Sequence, residues 1–130
     1  FAINLTAPFL LSQAFAKQTT HGRIINILDW RALRPGADHF PYTITKSALA
    51  SMTKSLAVAL APNITVNGLA MGAILPPADK PSPSEKIIES VPAKRWAEAN
   101  EVEGALIFLL TCPTYITGEI IHLDGGRHLI

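Results

Sequence analysis

The sequence predicts an α/β fold built on a parallel β-sheet. Three short runs rich in β-branched residues, at 22–28, 64–75 and 119–123, indicate strands. Longer runs with helical spacing separate them, so the predicted order is α-β-α-β-α-α-β. Strands that alternate with helices favour parallel pairing through right-handed crossovers.

The first predicted helix and strand open the chain. Residues 1–17 place apolar side chains at mixed helical spacing, and Pro8 either kinks this helix or shifts its start. The run GRIINIL (22–28) is almost continuously apolar. Such a run is typical of a parallel strand that is covered on both faces.

A loop and a long helix follow. Residues 30–41 carry two prolines and a glycine and predict a loop. Alanine and leucine dominate the stretch from about Tyr42 to Ala61, which predicts a long helix, and Pro62 stops it.

The second strand begins at residue 64 and passes into a glycine-containing turn by residue 75. Residues 76–84 contain four prolines and predict a loop. A short helix is expected over 85–91, and a further strand at 119–123.

The last predicted helix covers 101–111. Asn100 is expected to cap it, with Glu103 as the acid of a capping box.

The composition excludes several classes of protein. Hydrophobic residues make up 48% of the 130 residues and charged residues 16%, which predicts a soluble, well-buried core rather than disorder. A net charge of +1 and the lack of a long apolar run predict binding neither to nucleic acid nor to a membrane. The single Cys112 fits a reducing compartment, so a cytoplasmic location is expected. Scattered histidines predict no metal site.

Tyr42 and Lys46 stand four residues apart at the start of the long predicted helix. Positions i and i+4 share a helix face, so the two side chains project together. An ammonium group beside a phenol is expected to lower the pKa of the phenol, which suits proton transfer near neutral pH. Taken alone, Tyr-x-x-x-Lys is a weak signal, and a helix-start tyrosine with a solvated lysine is the alternative.

Asp29 directly follows the first strand and lies thirteen residues before Tyr42. The carboxyl ends of strands are the edge where ligands bind in open α/β sheets. The loop 30–41 can fold back and bring Asp29 beside Tyr42. The alternative role for Asp29 is that of an acid that caps a helix or a loop.

Taken together, these motifs resemble the C-terminal half of a short-chain dehydrogenase/reductase. The similar stretches are NLTAPFLLSQA, GRIINI, YTITKSALASMTKSLAVALAP, ITVNGLAMGAIL and YITGEIIHLDGG, which cover nearly the whole chain. The resemblance implies a Rossmann-like doubly wound parallel sheet, with residues 1–130 as the C-terminal half of one domain. The family's glycine-rich turn does not occur in this sequence. The N-terminal dinucleotide-binding half is therefore expected to be absent, and the chain to be part of a longer one.

Asp29 narrows the resemblance to one branch of the family. Most members carry serine there, whereas pteridine reductases and dihydromonapterin reductases carry aspartate, and the ending LDGGRHLI is also similar to that branch. The resemblance implies an NADPH-dependent reductase of a pterin or dihydrofolate-like substrate, with NADP preferred over NAD. The alternatives are a carbonyl or 3-oxoacyl reductase of the same family, and a non-catalytic dinucleotide-binding scaffold.

The resemblance also implies a role for each catalytic residue. Tyr42 would donate the proton, and Lys46 would bind the nicotinamide ribose and hold the tyrosine pKa down. Asn4 would anchor a water molecule that relays protons to Lys46. Asp29 would orient Tyr42 and contact the substrate ring.

The remaining candidate residues follow the second strand. Gly72, Ala73 and Ile74 would offer backbone groups to the nicotinamide. The family's substrate loop matches the proline-rich segment 76–84, and Trp96 beyond it either borders the substrate or is a packed aromatic residue.

The predicted helices 1–17 and 42–61 are apolar along more than one face, which predicts a homo-oligomer, and the resemblance implies a tetramer. Near the end of the chain, Asp124 and Arg127 are candidates for a salt bridge or a subunit contact. Arg127 or His128 could also reach a neighbour's active site.

Overall fold

The computed structural model describes residues 1–75 and 82–130, and for 82–85 it describes the backbone only. Three strands form one parallel sheet in the order β1-β2-β3. Their bounds are β1 Gly22–Asp29, β2 Ile64–Met71 and β3 Ile120–Leu123. The register pairs Asp29 with Met71 and Met71 with Leu123, so all three strands end at the same edge of the sheet.

The described residues form four α-helices, of which the first precedes β1 and the others lie between the strands: α1 (Ala7–Gln18), α2 (Phe40–Leu60), α3 (Ser82–Glu89) and α4 (Ala99–Thr111). A π-helical turn over Ala2–Thr6 precedes α1, and 3₁₀ turns follow β1 and β3 at Trp30–Ala32 and Arg127–Leu129. The order of helices and strands matches the prediction, and the two 3₁₀ turns are additions to it. None of the helices in the described part of the chain is long and apolar enough to span a membrane.

Both faces of the sheet are covered by helices. Side chains of β2 alternate, so Ile64, Val66 and Ala70 lie on one face, where they join clusters with the buried face of α2. Leu69 is fully buried on the other face, on which α4 packs against β1 and β2. The predicted doubly wound parallel sheet is therefore confirmed.

Two prolines mark helix starts. Helix α2 begins at Phe40, two residues before the predicted start, with Pro41 in its first turn. Pro8 stands at the same place in α1, so it shifts the start of that helix. The first turn of a helix tolerates proline because its N–H groups have no partner within the helix.

The predicted cap of the last helix was wrong. Helix α4 begins at Ala99, and its capping box joins Glu98 and Glu101 instead of Asn100 and Glu103. Glutamate is an uncommon N-cap because it is longer than serine or aspartate, so the pattern gave no reason to choose it. Arg95 fixes Glu101 in place by donating to both carboxylate oxygens, at 2.7 and 2.8 Å.

The predicted substrate loop spans 76–84, and residues 76–81 of it lie outside the described part of the chain. Helix α3 begins at Ser82, three residues before the predicted helix at 85–91.

Candidate active site

The turn after β1 brings Asp29 and Tyr42 together. The Tyr42 hydroxyl donates a hydrogen bond to Asp29 Oδ2 at 3.3 Å. The other carboxylate oxygen, Oδ1, accepts from the backbone N–H of Arg31 at 2.8 Å, which caps the 3₁₀ turn. Asp29 therefore caps the turn and also contacts Tyr42, as expected from the sequence, and its catalytic role stays a prediction.

Lys46 lies one helical turn beyond Tyr42 and faces the same edge of the sheet. Its ammonium group donates to the carbonyl oxygen of Ile27 at 2.8 Å and stands 5.8 Å from the centre of the Tyr42 ring. The expected common face of Tyr42 and Lys46 is present. Half-burial lowers the pKa of Lys46, and the nearby Asp29 carboxylate opposes that change.

The expected low pKa of the tyrosine was wrong. Burial, followed by the charge of Asp29 and its hydrogen bond, raises the pKa of Tyr42 to about 12. The carboxylate is in direct contact with the hydroxyl, whereas the ammonium of Lys46 is committed to the Ile27 carbonyl. Because burial is the largest cause and the adjacent carboxylate adds to it, Tyr42 keeps its proton at neutral pH.

Asn4 approaches the site from the turn that precedes α1. Its Nδ2 donates to Thr45 Oγ1 at 3.3 Å, and that hydroxyl donates to the backbone carbonyl of Tyr42 at 2.7 Å. Asn4 and Lys46 line the same open groove, about 420 Å³ in volume, along the outer edge of β1. Sequence reasoning missed Thr45, whose only signal is its place between Tyr42 and Lys46.

The segment after β2 leaves some backbone groups unused. The Gly72 N–H donates to the Leu123 carbonyl at 2.9 Å, and the Ala73 carbonyl accepts from Ala97 at 3.0 Å. Within the described residues, the N–H groups of Ala73 and Ile74 make no hydrogen bond. Of the three candidates for the nicotinamide, Gly72 has its donor occupied by the sheet, and Ala73 and Ile74 have theirs available.

Trp96 is half-buried beside this segment rather than joined to Asp29 or Tyr42. It precedes Ala97, which pairs with Ile74 in an isolated parallel bridge. Its place near the substrate stays a prediction.

An aromatic and cationic cluster that sequence reasoning did not anticipate adjoins Asp29. The ring of Trp30 lies between two guanidinium groups, that of Arg31 at 4.7 Å and that of Arg127 at 4.5 Å. Trp30 and Arg31 are adjacent in the motif DWRALR, but nothing in the sequence indicates that Arg127 lies beside them.

Asp124 does not pair with Arg127. It is buried, and its Oδ2 accepts from the backbone N–H of His128 at 2.8 Å, with the His128 ring also in contact. Among the residues that the structure describes, no group of three or more histidine, cysteine or acidic side chains could hold a metal ion.

Comparisons with known proteins agree with this geometry. Residues 1–128 match the family described as enoyl-(acyl carrier protein) reductase. The chain is 34% identical over 134 residues to 2-dehydro-3-deoxy-D-gluconate 5-dehydrogenase of Bacillus subtilis, covering 95% of this chain and 53% of that protein. It is 36% identical over 142 residues to pteridine reductase 1 of Leishmania tarentolae, covering 99% of this chain and 49% of that protein. The chain spans about half the length of the curated relatives it matches.

Solved structures share the fold. That of FolM alternative dihydrofolate reductase 1 from Brucella canis, complexed with NADP, matches with a TM-score of 0.91 at 34% identity. The match covers 99% of this chain and 53% of that one.

Proposed function

The chain belongs to the short-chain dehydrogenase/reductase family, and from that membership we propose that it carries the catalytic residues of an NADP-dependent reductase of pterin or dihydrofolate-like compounds. The observation that carries the proposal is the hydrogen bond from Tyr42 to Asp29 Oδ2 at 3.3 Å. A carboxylate accepts hydrogen bonds from the N–H groups of a pterin more strongly than a serine hydroxyl does. The Leishmania and Brucella relatives, named for pteridine and dihydrofolate reduction, support this substrate class.

Tyr42 donates the proton in this proposal. Its raised pKa of about 12 keeps the hydroxyl protonated at neutral pH, which is the form that a donor requires. Asp29 holds the hydroxyl in place and accepts from the substrate ring.

The residues present fit a bound nicotinamide. NADPH would supply the hydride and leave as NADP. Lys46 uses one of its three N–H donors on the Ile27 carbonyl, which leaves donors for the ribose hydroxyls. The N–H groups of Ala73 and Ile74 would hold the carboxamide, with Gly72 giving the backbone room to approach.

Asn4 would complete the proton supply. Its Nδ2 is committed to Thr45, so its carbonyl oxygen is the group that would hold a water molecule. The groove that Asn4 shares with Lys46 has room for water between them. Protons lost from Tyr42 would return along this path.

The test uses the full-length protein, NADPH and a dihydropterin. Tyr42→Phe removes the donor and keeps the ring, so kcat should fall by about 10²–10⁴-fold while the affinity for NADPH changes little. Undiminished turnover would remove Tyr42 from the mechanism. A protein that binds NADPH yet reduces neither pterins nor ketones would instead be a dinucleotide-binding scaffold.

The second candidate function is reduction of a ketone, such as a carbonyl or 3-oxoacyl compound. The relative from Bacillus, a dehydrogenase of a sugar acid, favours it at similar identity.

Exchanging Asp29 for serine separates the two candidates. Asp29→Ser should lower kcat/KM for a dihydropterin by about tenfold, the scale of one charge-assisted hydrogen bond, and raise it for a ketone. Asp29→Asn, which keeps the shape and removes the charge, is the matched control. A serine variant that reduces pterins as well as the wild type would favour the ketone reading.

We also propose that residues 1–130 form the C-terminal half of one domain. The outer edge of β1 has no strand beside it among the described residues, and it borders the open groove of about 420 Å³. Apolar side chains that line the groove include Leu11, Phe15 and Ile27. A strand of the other half of the domain would cover this surface, as the half-length match to the relatives supports.

A further inference from the structure

A second cavity lies beyond the catalytic residues, between the loop after β1 and the end of the chain. Its volume is about 240 Å³. It is lined by Trp30, Arg34, Ser90, Arg127 and Ile130. Three separate segments meet there: the turn after β1, the end of α3 and the last 3₁₀ turn.

The cavity is cationic. Arg31, behind Trp30, is neutralised by Asp38 at 2.7 Å. Within the described residues, the side chains of Arg34 and Arg127 form no ion pair and donate no hydrogen bond. Ser90 adds no donor, because its hydroxyl donates to the Ile87 carbonyl at 2.7 Å. Two guanidinium groups therefore face the cavity without a protein partner.

Arg127 is held in place by packing rather than by charge. Its guanidinium lies 4.5 Å from the centre of the Trp30 ring, which is itself buried. A guanidinium that stacks on an aromatic face keeps the N–H donors of its edge free for a planar anion. The site is thus preorganised for a ligand that approaches along the edge of Arg127.

The cavity adjoins the reaction site. Trp30 follows Asp29 in the chain, and the same carboxylate that binds Tyr42 caps the turn that carries Trp30. Asp29 also acts electrostatically on Arg127. A substrate whose ring contacts Asp29 could extend a side chain into the cavity.

We propose that the cavity formed by Trp30, Arg34 and Arg127 is a subsite for an oxyanion, a carboxylate or a phosphate, at the end of the substrate remote from the reduced ring. The proposal rests on the proposed reductase function and names its substrate class more closely. The reduced compound would be a pterin with an anionic tail. Guanidinium groups bind carboxylates and phosphates alike through paired N–H donors. Substrates that carry one anion or the other must therefore be compared to identify which one the cavity binds.

The test compares dihydrofolate with its dimethyl ester in the full-length protein, because esterification removes the two negative charges of the tail and adds only two methyl groups. We expect kcat/KM to favour dihydrofolate by about tenfold, the scale of one charge-assisted hydrogen bond in an open site. Arg127→Gln should raise KM for dihydrofolate by about that factor and leave kcat and the constants for the ester unchanged.

Two further variants serve as controls. Arg34→Gln, at an exposed side chain, repeats the comparison without disturbing the contact with Trp30, in case Arg127→Gln unfolds. Lys17→Gln removes an exposed cation at the far end of α1 and should not change the preference for dihydrofolate.

A second pair of substrates, dihydroneopterin and its phosphate ester, identifies the anion. A gain for the phosphate ester alone assigns the cavity to phosphate, and a gain for dihydrofolate alone assigns it to carboxylate. Equal kcat/KM within both pairs, or a preference that survives both arginine variants, would overturn the subsite and leave the reductase proposal intact.

Failure of the reductase proposal gives a different result. If no pterin is reduced, calorimetric binding of dihydrofolate and its ester to the wild type and to Arg127→Gln still tests the cavity. A charge preference that the variant removes supports the subsite, and equal binding overturns it.

Discussion

Two charged side chains of opposite sign, Asp29 and Lys46, lie beside Tyr42. Sequence spacing placed both of them correctly, since Asp29 and Lys46 do lie beside the tyrosine. The direction of the pKa change could not be predicted, because it depends first on how far packing buries the phenol and then on which charge contacts it. The carboxylate accepts from the hydroxyl at 3.3 Å, whereas the ammonium turns toward the Ile27 carbonyl.

A pH profile tests that balance. Asp29→Asn removes the charge that helps to raise the pKa of Tyr42 to about 12, so the pKa should fall toward its reference value of about 10. Reduction needs protonated Tyr42, so the loss of kcat/KM at high pH should begin at lower pH in the variant than in the wild type. The measurement is kcat/KM for reduction across the alkaline range.

The position of the alkaline limb, rather than the height of the curve, is the readout, since the variant also loses a substrate contact. Tyr42→Phe should lack this limb altogether. A limb that stays in place in Asp29→Asn would show that the carboxylate does not control the tyrosine.

Among the strands and helices, the end of β2 carries a glycine whose structural role cannot be explained by a sequence motif. Gly72 is a predicted cofactor-binding residue, and the fold gives an independent reason for glycine at this position. A Cβ on Gly72 would lie 2.7 Å from the Cα of Asp124. That contact involves the backbone after β3, which no local pattern in the sequence reveals. The strands and helices themselves were predictable from periodicity, whereas the cap at Glu98 depended on the contact of Glu101 with Arg95, which precedes the helix.

Replacing Gly72 by alanine tests this close contact, and the same replacement at Gly104 is the matched control. Gly72→Ala should destabilise the protein by about 1–3 kcal/mol, because backbone atoms of Asp124 cannot move aside easily. Gly104→Ala, inside α4 with nothing within 4 Å of the new methyl group, should stabilise it by about 0.5–1 kcal/mol. Thermal unfolding followed by circular dichroism measures both. Equal melting temperatures of the two variants would mean that the backbone after β3 moves to accommodate the added methyl group.

On the scale of the whole molecule, apolar side chains remain on the outer surfaces of the helices. Leu10 of α1 is 54% exposed, and Val58 of α2 is 82% exposed. Helix α4 also exposes apolar residues, with Leu110 at 52%. Composition predicted an excess of apolar surface, but it could not say which helix leaves it uncovered, because that depends on the side of each helix that meets the sheet.

We expect α1 and α2 to form the subunit interface. Val58→Glu would bury a charge without a partner in that interface, so the full-length protein should shift to a smaller species in light scattering. Leu110→Glu makes the same change on α4 and should leave the assembly intact. A protein that dissociates only with Leu110→Glu would place the interface on α4, and a wild type that is already monomeric would contradict oligomerisation.

The side chain of Asn67 in β2 bonds to the backbone of the segment that leads into β3, in place of strand pairing there. Its Nδ2 donates to the Ile116 carbonyl at 3.0 Å, and its Oδ1 accepts from the Glu119 N–H at 2.9 Å. Together with the backbone hydrogen bonds from Gly68 to Glu119 and from Gly118 to Val66, this buried amide fixes the register between β2 and the short β3. We expect the crossover between these strands, which includes the proline-rich segment, to tolerate insertion, deletion or exchange between relatives. Such changes would leave the carboxyl edge of the sheet in place.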